Sequence, residues 1–233
     1  MDALIDAASQ ALYLLFSGDR ALWEIVAISL RVSLTALVIA VPLAVLLAFA
    51  LAYGTFPGRR FLIAMFSTLL SVPTVVIGLT LYLILSRQGP LGEWRLLFSQ
   101  TAMVLGQIVL AFPMLVSLGH SALQAADRRA WETARTRGPL PLRALLKLTH
   151  EARFGLLAAI LAAFGRIISE VGASMMLGGN ILHHTRNIPT AIALETSKGE
   201  FAQGIALGLV LLVMAAVLNV LLHHFQGRGF VGS

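Results

Sequence analysis

The longest polar interval of the chain, residues 121–153, reads SALQAADRRAWETARTRGPLPLRALLKLTHEAR and lies between two apolar segments. It contains seven of the seventeen lysine and arginine residues of the chain. Its first half predicts a short amphipathic helix, because Arg128, Glu132 and Arg135 are spaced so that opposite charges meet across turns. Gly138, with a proline just beyond it, ends that helix. A second helical pattern follows, so the interval predicts two short helices joined by a glycine break.

The sequence around this interval is strongly apolar, with 58% hydrophobic residues, 12% charged residues and a mean hydropathy of +0.86. Several segments exceed the ~18 apolar residues typical of a membrane helix. Lipid cannot satisfy open backbone groups, so each span must be helical. The five predicted spans cover residues 22–52, 61–85, 102–118, 154–177 and 204–222. We therefore expect an all-α, polytopic integral membrane protein whose residues 1–233 form a single transmembrane domain.

The distribution of charge predicts the orientation of these spans. The turn at 54–60, the interval 121–153 and the C-terminal tail share one side and hold ten lysine or arginine residues. The other side holds five, together with six acidic residues. The positive-inside rule then predicts an outside N-terminus and a cytoplasmic C-terminus. The basic pI of about 10.7 thus reflects topology and gives no argument for nucleic-acid binding.

The first twenty residues contain three aspartates and a short apolar patch at 12–16. They lack the basic start and the small-residue cleavage site of a signal peptide. We predict that residues 1–20 form an amphipathic periplasmic lead-in at the membrane surface.

The fourth predicted span carries charge inside the membrane, where a charged side chain costs about 2.5–3.5 kcal/mol on insertion scales. Arg166 and Glu170 are four residues apart and are expected to neutralise each other. Two interpretations stay open, a buried structural ion pair or a set of residues that line or brace a path between subunits. Small residues after the pair would let helices approach closely, as a closable gate requires. The gate or path candidates are Arg166, Ser169, Glu170, Gly172, Ala173 and Ser174.

Pro73 and Thr74 interrupt the second predicted span. A proline inside a membrane helix frees a backbone carbonyl and bends the helix, which is tolerable only among neighbouring helices. A packing kink and a role in gating are both consistent with this position.

Several kinds of chemistry are excluded by the residues that are missing. The chain has no cysteine, and it lacks a Gly-x4-Gly-Lys-Ser/Thr phosphate loop, an HExxH motif and a Gly-x-Ser-x-Gly motif. Met175 and Met176 are interpreted as core filling, and the two adjacent histidine pairs as surface residues. We expect no enzyme activity, no metal site and no bound cofactor in this chain. Energy for a pump must then come from a partner.

The interval at 121–153 resembles the cytoplasmic coupling loop, or EAA loop, of ABC import permeases. The family has Glu, a small residue, Ala, three residues and Gly, whereas its usual Leu-Pro ending is absent here. The resemblance implies that an ATP-hydrolysing subunit docks on this coupling loop. The implied coupling residues are Glu132, Thr133, Ala134 and Gly138.

A second resemblance covers roughly residues 61–219. The run from Val72 to Gly92 is similar to permeases for molybdate, tungstate and sulfate. The later runs resemble the tungstate-type ABC permease most, namely SEVGASMM at 169–176, GGNI at 178–181, TRNIPTAI at 185–192 and LETSKGEF at 194–201. The resemblance implies a type I importer fold and a tetrahedral oxyanion as substrate, with tungstate ahead of molybdate and sulfate.

The same resemblance implies a set of partners in a prokaryotic cytoplasmic membrane. These are a second copy of the permease, two ATP-binding subunits that use ATP and Mg, and a periplasmic or extracellular oxyanion-binding protein. ATP would draw the coupling loops together, and the fourth and fifth spans would rotate to switch the gate at 169–174.

Two other classes of function, a secondary carrier or channel and an integral-membrane enzyme, would each require features in the sequence. A secondary carrier or channel without an ATPase partner would show internal repeats or interrupted helices in matching halves, and five unequal spans predict neither. An integral-membrane enzyme would need an acid/base or metal constellation, which the sequence lacks.

Overall fold

The computed structural model describes residues 2–125 and 148–230, and all the long elements of these residues are α-helices. A single 3-10 turn covers Gly92–Trp94. The helices are α1 (Asp2–Phe16), α2 (Arg20–Tyr53), α3 (Arg59–Leu69), α4 (Thr74–Leu85), α5 (Gln100–Ala125), α6 (Arg153–Ile168), α7 (Gly172–Gly178), α8 (Ile188–Lys198) and α9 (Phe201–Phe230). The predicted all-α fold class is confirmed.

Three of these helices are long and apolar enough to cross a membrane unbroken. They are α2, α5 and the part of α9 from Phe201 to Leu221. Helix α2 begins after Asp19, whose carboxylate accepts a hydrogen bond from the backbone N–H of Leu22 at 2.8 Å. This is the contact by which an aspartate satisfies an unpaired amide at a helix start. The first, third and fifth predicted spans are therefore present as single helices.

The prediction that the second span is a single kinked helix is wrong. The span is divided into α3 and α4, which meet at an angle of 101°. The end of α3 tightens, with the amides of Leu70, Ser71 and Val72 bonding carbonyls three residues earlier. Pro73 then adopts an extended conformation, with φ −59° and ψ 130°. A proline cannot continue a helix and disfavours helical geometry in the residue before it. The chain therefore breaks here and starts a new helix at Thr74.

The fourth predicted span is also interrupted, because α6 and α7 differ in direction by 62° across residues 169–171. No proline causes this break. The expectation that the spans contain no interrupted helices is thus wrong for two of the five. Because a bent pair can still traverse a membrane, the five predicted segments correspond to three continuous helices and two broken pairs.

The chain separates into two compact units. The first contains Met1–Ala36, Pro73–Leu110 and Gly165–Val217. In its main core the buried side chains of Ala11 on α1 and Leu22 on α2 pack with Ile188 and Leu207. Since Ala11 is fully buried, the predicted lead-in helix is packed into this unit.

The second unit contains Leu37–Val72, Ala111–Phe164 and Leu218–Ser233. Its core joins Ala48 of α2, Leu123 of α5 and Leu156 of α6. The hydroxyl of Tyr53 donates to the carbonyl of Leu123 at 2.6 Å, which ties the end of α2 to the end of α5. This unit therefore holds the two helix ends that flank the predicted coupling loop. Whether residues 1–233 form one domain stays a prediction.

Candidate functional site

Within the first unit, α4, which starts after Pro73, packs against α7, which starts after the second break. A Cβ atom added to Gly78 of α4 would lie 2.9 Å from the Cα atom of Ala173 and 3.2 Å from the sulfur of Met176. A Cβ atom added to Gly172 would lie 3.1 Å from a methyl carbon of Val75. The helix that begins after Pro73 therefore touches the helix that begins after the second break.

This contact brings together site residues that the sequence predicted separately. Thr74 begins α4, and Gly172, Ala173 and Ser174 form the first turn of α7. Backbones approach this closely only where one side has no side chain, which is the arrangement of small residues at membrane helix contacts. The sequence signal for small residues at 172–174 is explained by this packing.

Unpaired carbonyls at the end of α6 are satisfied by side chains. The hydroxyl of Ser169 donates to the carbonyls of Gly165 at 2.9 Å and Arg166 at 3.1 Å. The carbonyl of Ile167 accepts from the backbone N–H of Glu170 at 3.2 Å and from the side-chain amide of Gln107 at 3.3 Å. A helix break in a membrane needs such partners, because lipid offers none. Ser169, a predicted path residue, here also supports the break.

Gln107 was missed by the sequence analysis. It is 2% exposed and lies in the first half of α5, in a largely apolar stretch. A glutamine in an apolar span is a typical donor across membrane helices, so its position within the third predicted span was the available signal.

The predicted ion pair between Arg166 and Glu170 is not formed, since no ion pair joins them among the residues that the structure describes. The i, i+4 spacing requires one continuous helix, and α6 ends between them. The Glu170 carboxylate is buried and accepts a hydrogen bond from the backbone N–H of Ala173 at 3.1 Å, whereas Arg166 is exposed. A carboxylate at a helix start is favourable because of the helix dipole.

Because the two side chains have separate surroundings, we expect Arg166→Ala and Glu170→Ala to have independent effects on the anion import that the sequence resemblance implies. The loss of anion uptake in the double variant should equal the product of the two single losses within about twofold. Uptake by membrane vesicles, normalised to inserted protein, checks this. A double variant that recovers uptake relative to Arg166→Ala would restore the structural ion-pair interpretation.

The run from Thr185 to Thr190, which the sequence linked to the oxyanion permeases, forms a buried polar turn. The Thr185 hydroxyl donates to the carbonyl of Gly178 at 2.5 Å. Asn187 and Thr190 form a reciprocal capping box at the start of α8. The backbone N–H of Ile188 donates to the Ser29 hydroxyl of α2 at 2.7 Å. These bonds fasten the segment after α7 to α2.

We expect Ser29→Ala to destabilise the protein by about 1–3 kcal/mol, because the buried N–H of Ile188 would lose its partner. Ser33→Ala is the matched control, since the Ser33 hydroxyl lies one turn further along α2 and is fully buried without a hydrogen-bond partner in the described chain. Thermal unfolding of the purified protein in detergent measures both variants. Equal melting temperatures for the two variants would contradict the anchoring role of Ser29.

The same segment contains a buried carboxylate. Glu195 is 2% exposed and receives the Lys198 ammonium at 3.2 Å, with a guanidinium nitrogen of Arg186 at 3.9 Å. This cluster occupies the Thr-Arg and Glu-Thr-Ser-Lys runs of the predicted family motif. Burial with two cations makes Glu195 a structural anchor of α8.

The last feature of the site concerns side chains that could bind a metal ion. No group of three or more His, Asp or Glu side chains suited to a metal occurs in residues 2–125 and 148–230. His183 is exposed and lies 2.7 Å from the carboxylate of Glu24, which agrees with its interpretation as a surface residue.

The coupling residues Glu132, Thr133, Ala134 and Gly138 lie outside the described residues. Their assignment therefore stays a prediction.

Comparison with known proteins supplies the family. No protein-family model matches the chain. The chain is 42% identical over 226 residues to the tungstate uptake system permease protein TupB of Campylobacter jejuni, with 97% of this chain and 95% of the relative covered. It is 30% identical over 216 residues to the molybdenum transport system permease protein ModB of Escherichia coli K12, with 88% and 93% covered.

A solved structure supports the fold. An inward-facing structure of the MetNI methionine ABC transporter aligns with a TM-score of 0.57 and 20% sequence identity over 94% of each chain. The helical fold is thus that of an ABC importer permease. The chain belongs to the family of ABC transporter permeases that contains the tungstate uptake permeases.

Proposed function

We propose that this chain is the membrane-spanning permease subunit of an ATP-driven importer of a tetrahedral oxyanion, with tungstate as the substrate. The observation that carries the substrate is the identity of 42% to a tungstate uptake permease, against 30% to a molybdenum permease. Molybdate is the first alternative and sulfate the second. Tungstate and molybdate have nearly the same size and charge, so the binding protein sets the final selectivity.

The ABC permease family implies partner subunits that bind ATP and substrate. We propose a homodimer of this chain with two ATP-hydrolysing subunits, which use ATP and Mg, and an external oxyanion-binding protein. The sequence has no phosphate-binding loop that would let the chain bind ATP itself. The chain is therefore proposed to bind no cofactor of its own.

The proposed setting is a prokaryotic cytoplasmic membrane, with residues 1–20 outside and the C-terminus inside. The proposed cytoplasmic side holds ten lysine and arginine residues and the other side holds five, which supports this orientation. The chain has no cysteine, so single-cysteine variants report the orientation directly. A membrane-impermeant thiol reagent should label Ser17→Cys in intact cells, and labelling only after lysis would reverse the topology.

In the proposed mechanism, α4 and α7 act as the gate segments. Their contact through Gly78 and Ala173 is close enough that one cannot shift without the other. ATP-driven approach of the coupling loops turns the helices that precede the breaks, and the two breaks convert this rotation into opening of the gate. The path needs only weak and transient anion contacts, which hydroxyl groups and backbone amides supply.

Variants of the coupling loop test this proposal. Replacement of Glu132 or Gly138 by alanine should lower ATP-dependent tungstate uptake about tenfold, within the range typical of coupling free energies. Membrane insertion should be unchanged. Glu151→Ala is the matched control, because Glu151 is an exposed acid at the end of the same interval but outside the motif. Normal uptake in the Glu132 and Gly138 variants would contradict ATP coupling and favour a carrier without an ATPase partner.

A further inference from the structure

We propose that Gln107 is a positioning residue of the gate and forms, with Ser174, a two-state polar latch across the break between α6 and α7. We call these two side chains the latch. The inference deepens the proposed function, since it concerns the control of the same gate. Gln107 does not have to touch the transported anion in this role.

Gln107 makes only part of the hydrogen bonding that its amide group allows. Its nitrogen donates to the Ile167 carbonyl over a long 3.3 Å, and that carbonyl already accepts from Glu170. Its side-chain oxygen is buried and has no hydrogen-bond partner in the part of the chain that the structure describes. A buried amide oxygen without a partner is costly. It is therefore available to a donor that arrives in another arrangement of the helices.

Ser174 supplies a complementary group. It is 3% exposed, and its hydroxyl is likewise buried without a partner among the described residues. A serine hydroxyl donates one hydrogen bond, and an amide oxygen accepts up to two. Among the described residues, the gate region thus holds an unused donor in the Ser174 hydroxyl and an unused acceptor in the Gln107 amide oxygen.

The register of α5 on α7 brings these two groups to the same contact. The side chain of Met103 packs at Gly178, and Leu177 packs at Gly106, so this face of α5 contacts the last turn of α7. Ser174 precedes Leu177 by three residues and Gly178 by four, and so shares their face of α7. Gln107 follows Met103 by four residues and so shares its face of α5, which brings both polar groups to within one turn of this contact.

The two groups therefore define two bonding states, one without and one with a hydrogen bond between the Gln107 oxygen and the Ser174 hydroxyl. In the present arrangement the Gln107 amide holds the last turn of α6 through Ile167. A small shift of α7 along α5 would let the amide oxygen accept from the Ser174 hydroxyl. Discrete alternatives of this kind make a packed contact bistable, so that a small displacement switches it.

Disulfide cross-linking tests whether positions 107 and 174 lie side by side. The chain has no cysteine, so no native thiol competes with the introduced pair. A Gln107→Cys/Ser174→Cys double variant is oxidised in the assembled transporter and digested with trypsin after denaturation, which cuts in the basic interval between the two positions. The two tryptic fragments should stay joined by the disulfide between positions 107 and 174. The cross-linking yield should differ about threefold between nucleotide-free and ATP-trapped transporter. The matched control is Gln107→Cys/Ser169→Cys, since Ser169 is exposed. Absence of a 107–174 cross-link in both states, or a yield that nucleotide does not change, would overturn the latch.

A second measurement separates positioning from simple structural support. Gln107→Leu and Ser174→Ala should each raise the ratio of ATP hydrolysed to anion taken up by about threefold in proteoliposomes. The double variant should be no worse than Gln107→Leu alone, since the two residues act as a pair. A parallel fall of hydrolysis and uptake with an unchanged ratio would reduce Gln107 to a structural contact. If wild-type hydrolysis ignores tungstate, molybdate and sulfate, the proposed function fails, while the cross-link still decides the latch.

Discussion

A Gly78→Leu variant is expected to insert normally into the membrane and to lose at least about tenfold of its tungstate uptake. Even the first carbon of the new side chain would lie 2.9 Å from the backbone of Ala173, a distance that forces α4 and α7 apart. Overpacking of a close contact costs about 1–3 kcal/mol. Because α4 and α7 each start at a helix break, the displacement acts directly on the proposed gate.

Gly208→Leu is the matched control for this variant. Gly208 also lies inside a membrane-spanning helix, but a Cβ atom there meets no heavy atom within 4 Å. Uptake in proteoliposomes, corrected for the amount of assembled transporter, compares the two variants. Equal uptake by both would mean that the close contact of α4 with α7 has no part in transport.

Glu195→Ala is expected to destabilise the permease by about 3 kcal/mol, the largest stability effect that we predict. Removal of the carboxylate leaves the Arg186 side chain, only 15% exposed, without its anionic neighbour. The Lys198 side chain is 45% exposed and can turn to solvent, so its share of the loss is small. The loss therefore comes mainly from the desolvated arginine.

Glu200→Ala provides the comparison, because Glu200 is an exposed acid only five residues away. Thermal unfolding in detergent should show a clear decrease for Glu195→Ala and almost none for Glu200→Ala. Glu195→Gln, which keeps the shape and loses the charge, should fall between them. A melting temperature for Glu195→Ala equal to that of the wild type would refute the anchoring of α8 by this cluster.

The number and position of the membrane segments were predictable, because long apolar runs mark the segments that lie in lipid. Such segments must be helical, since no water is present to bond their backbone groups. The two broken pairs were only partly predictable. Pro73 signalled a disturbance of the second span, but sequence alone does not distinguish a kink from a bend of 101°. The break after Ile168 has no proline. The residues on its two sides contact Gln107 and Gly78, which lie far away along the chain.

The candidate site shows the same division. Gly172 and Ala173 were recognisable as small residues of a close contact, and they are found in one, while Ser174 follows them in the same turn. The ion pair of Arg166 with Glu170 was predicted from helical spacing and was wrong, since the helix ends between the two residues. A glutamine inside the third predicted span was a visible signal, but the sequence did not show the helix break at Ile167 to which Gln107 donates.

The most direct test of the central claim is ATP hydrolysis by the permease reconstituted in lipid with its ATPase subunit and its binding protein. Tungstate, molybdate and sulfate are each added from sub-micromolar to millimolar concentrations. We expect tungstate to stimulate hydrolysis at the lowest concentration. Stimulation by molybdate or sulfate at lower concentrations would contradict the substrate, and failure of an ATPase subunit to associate with the permease would contradict the ATP-driven importer itself.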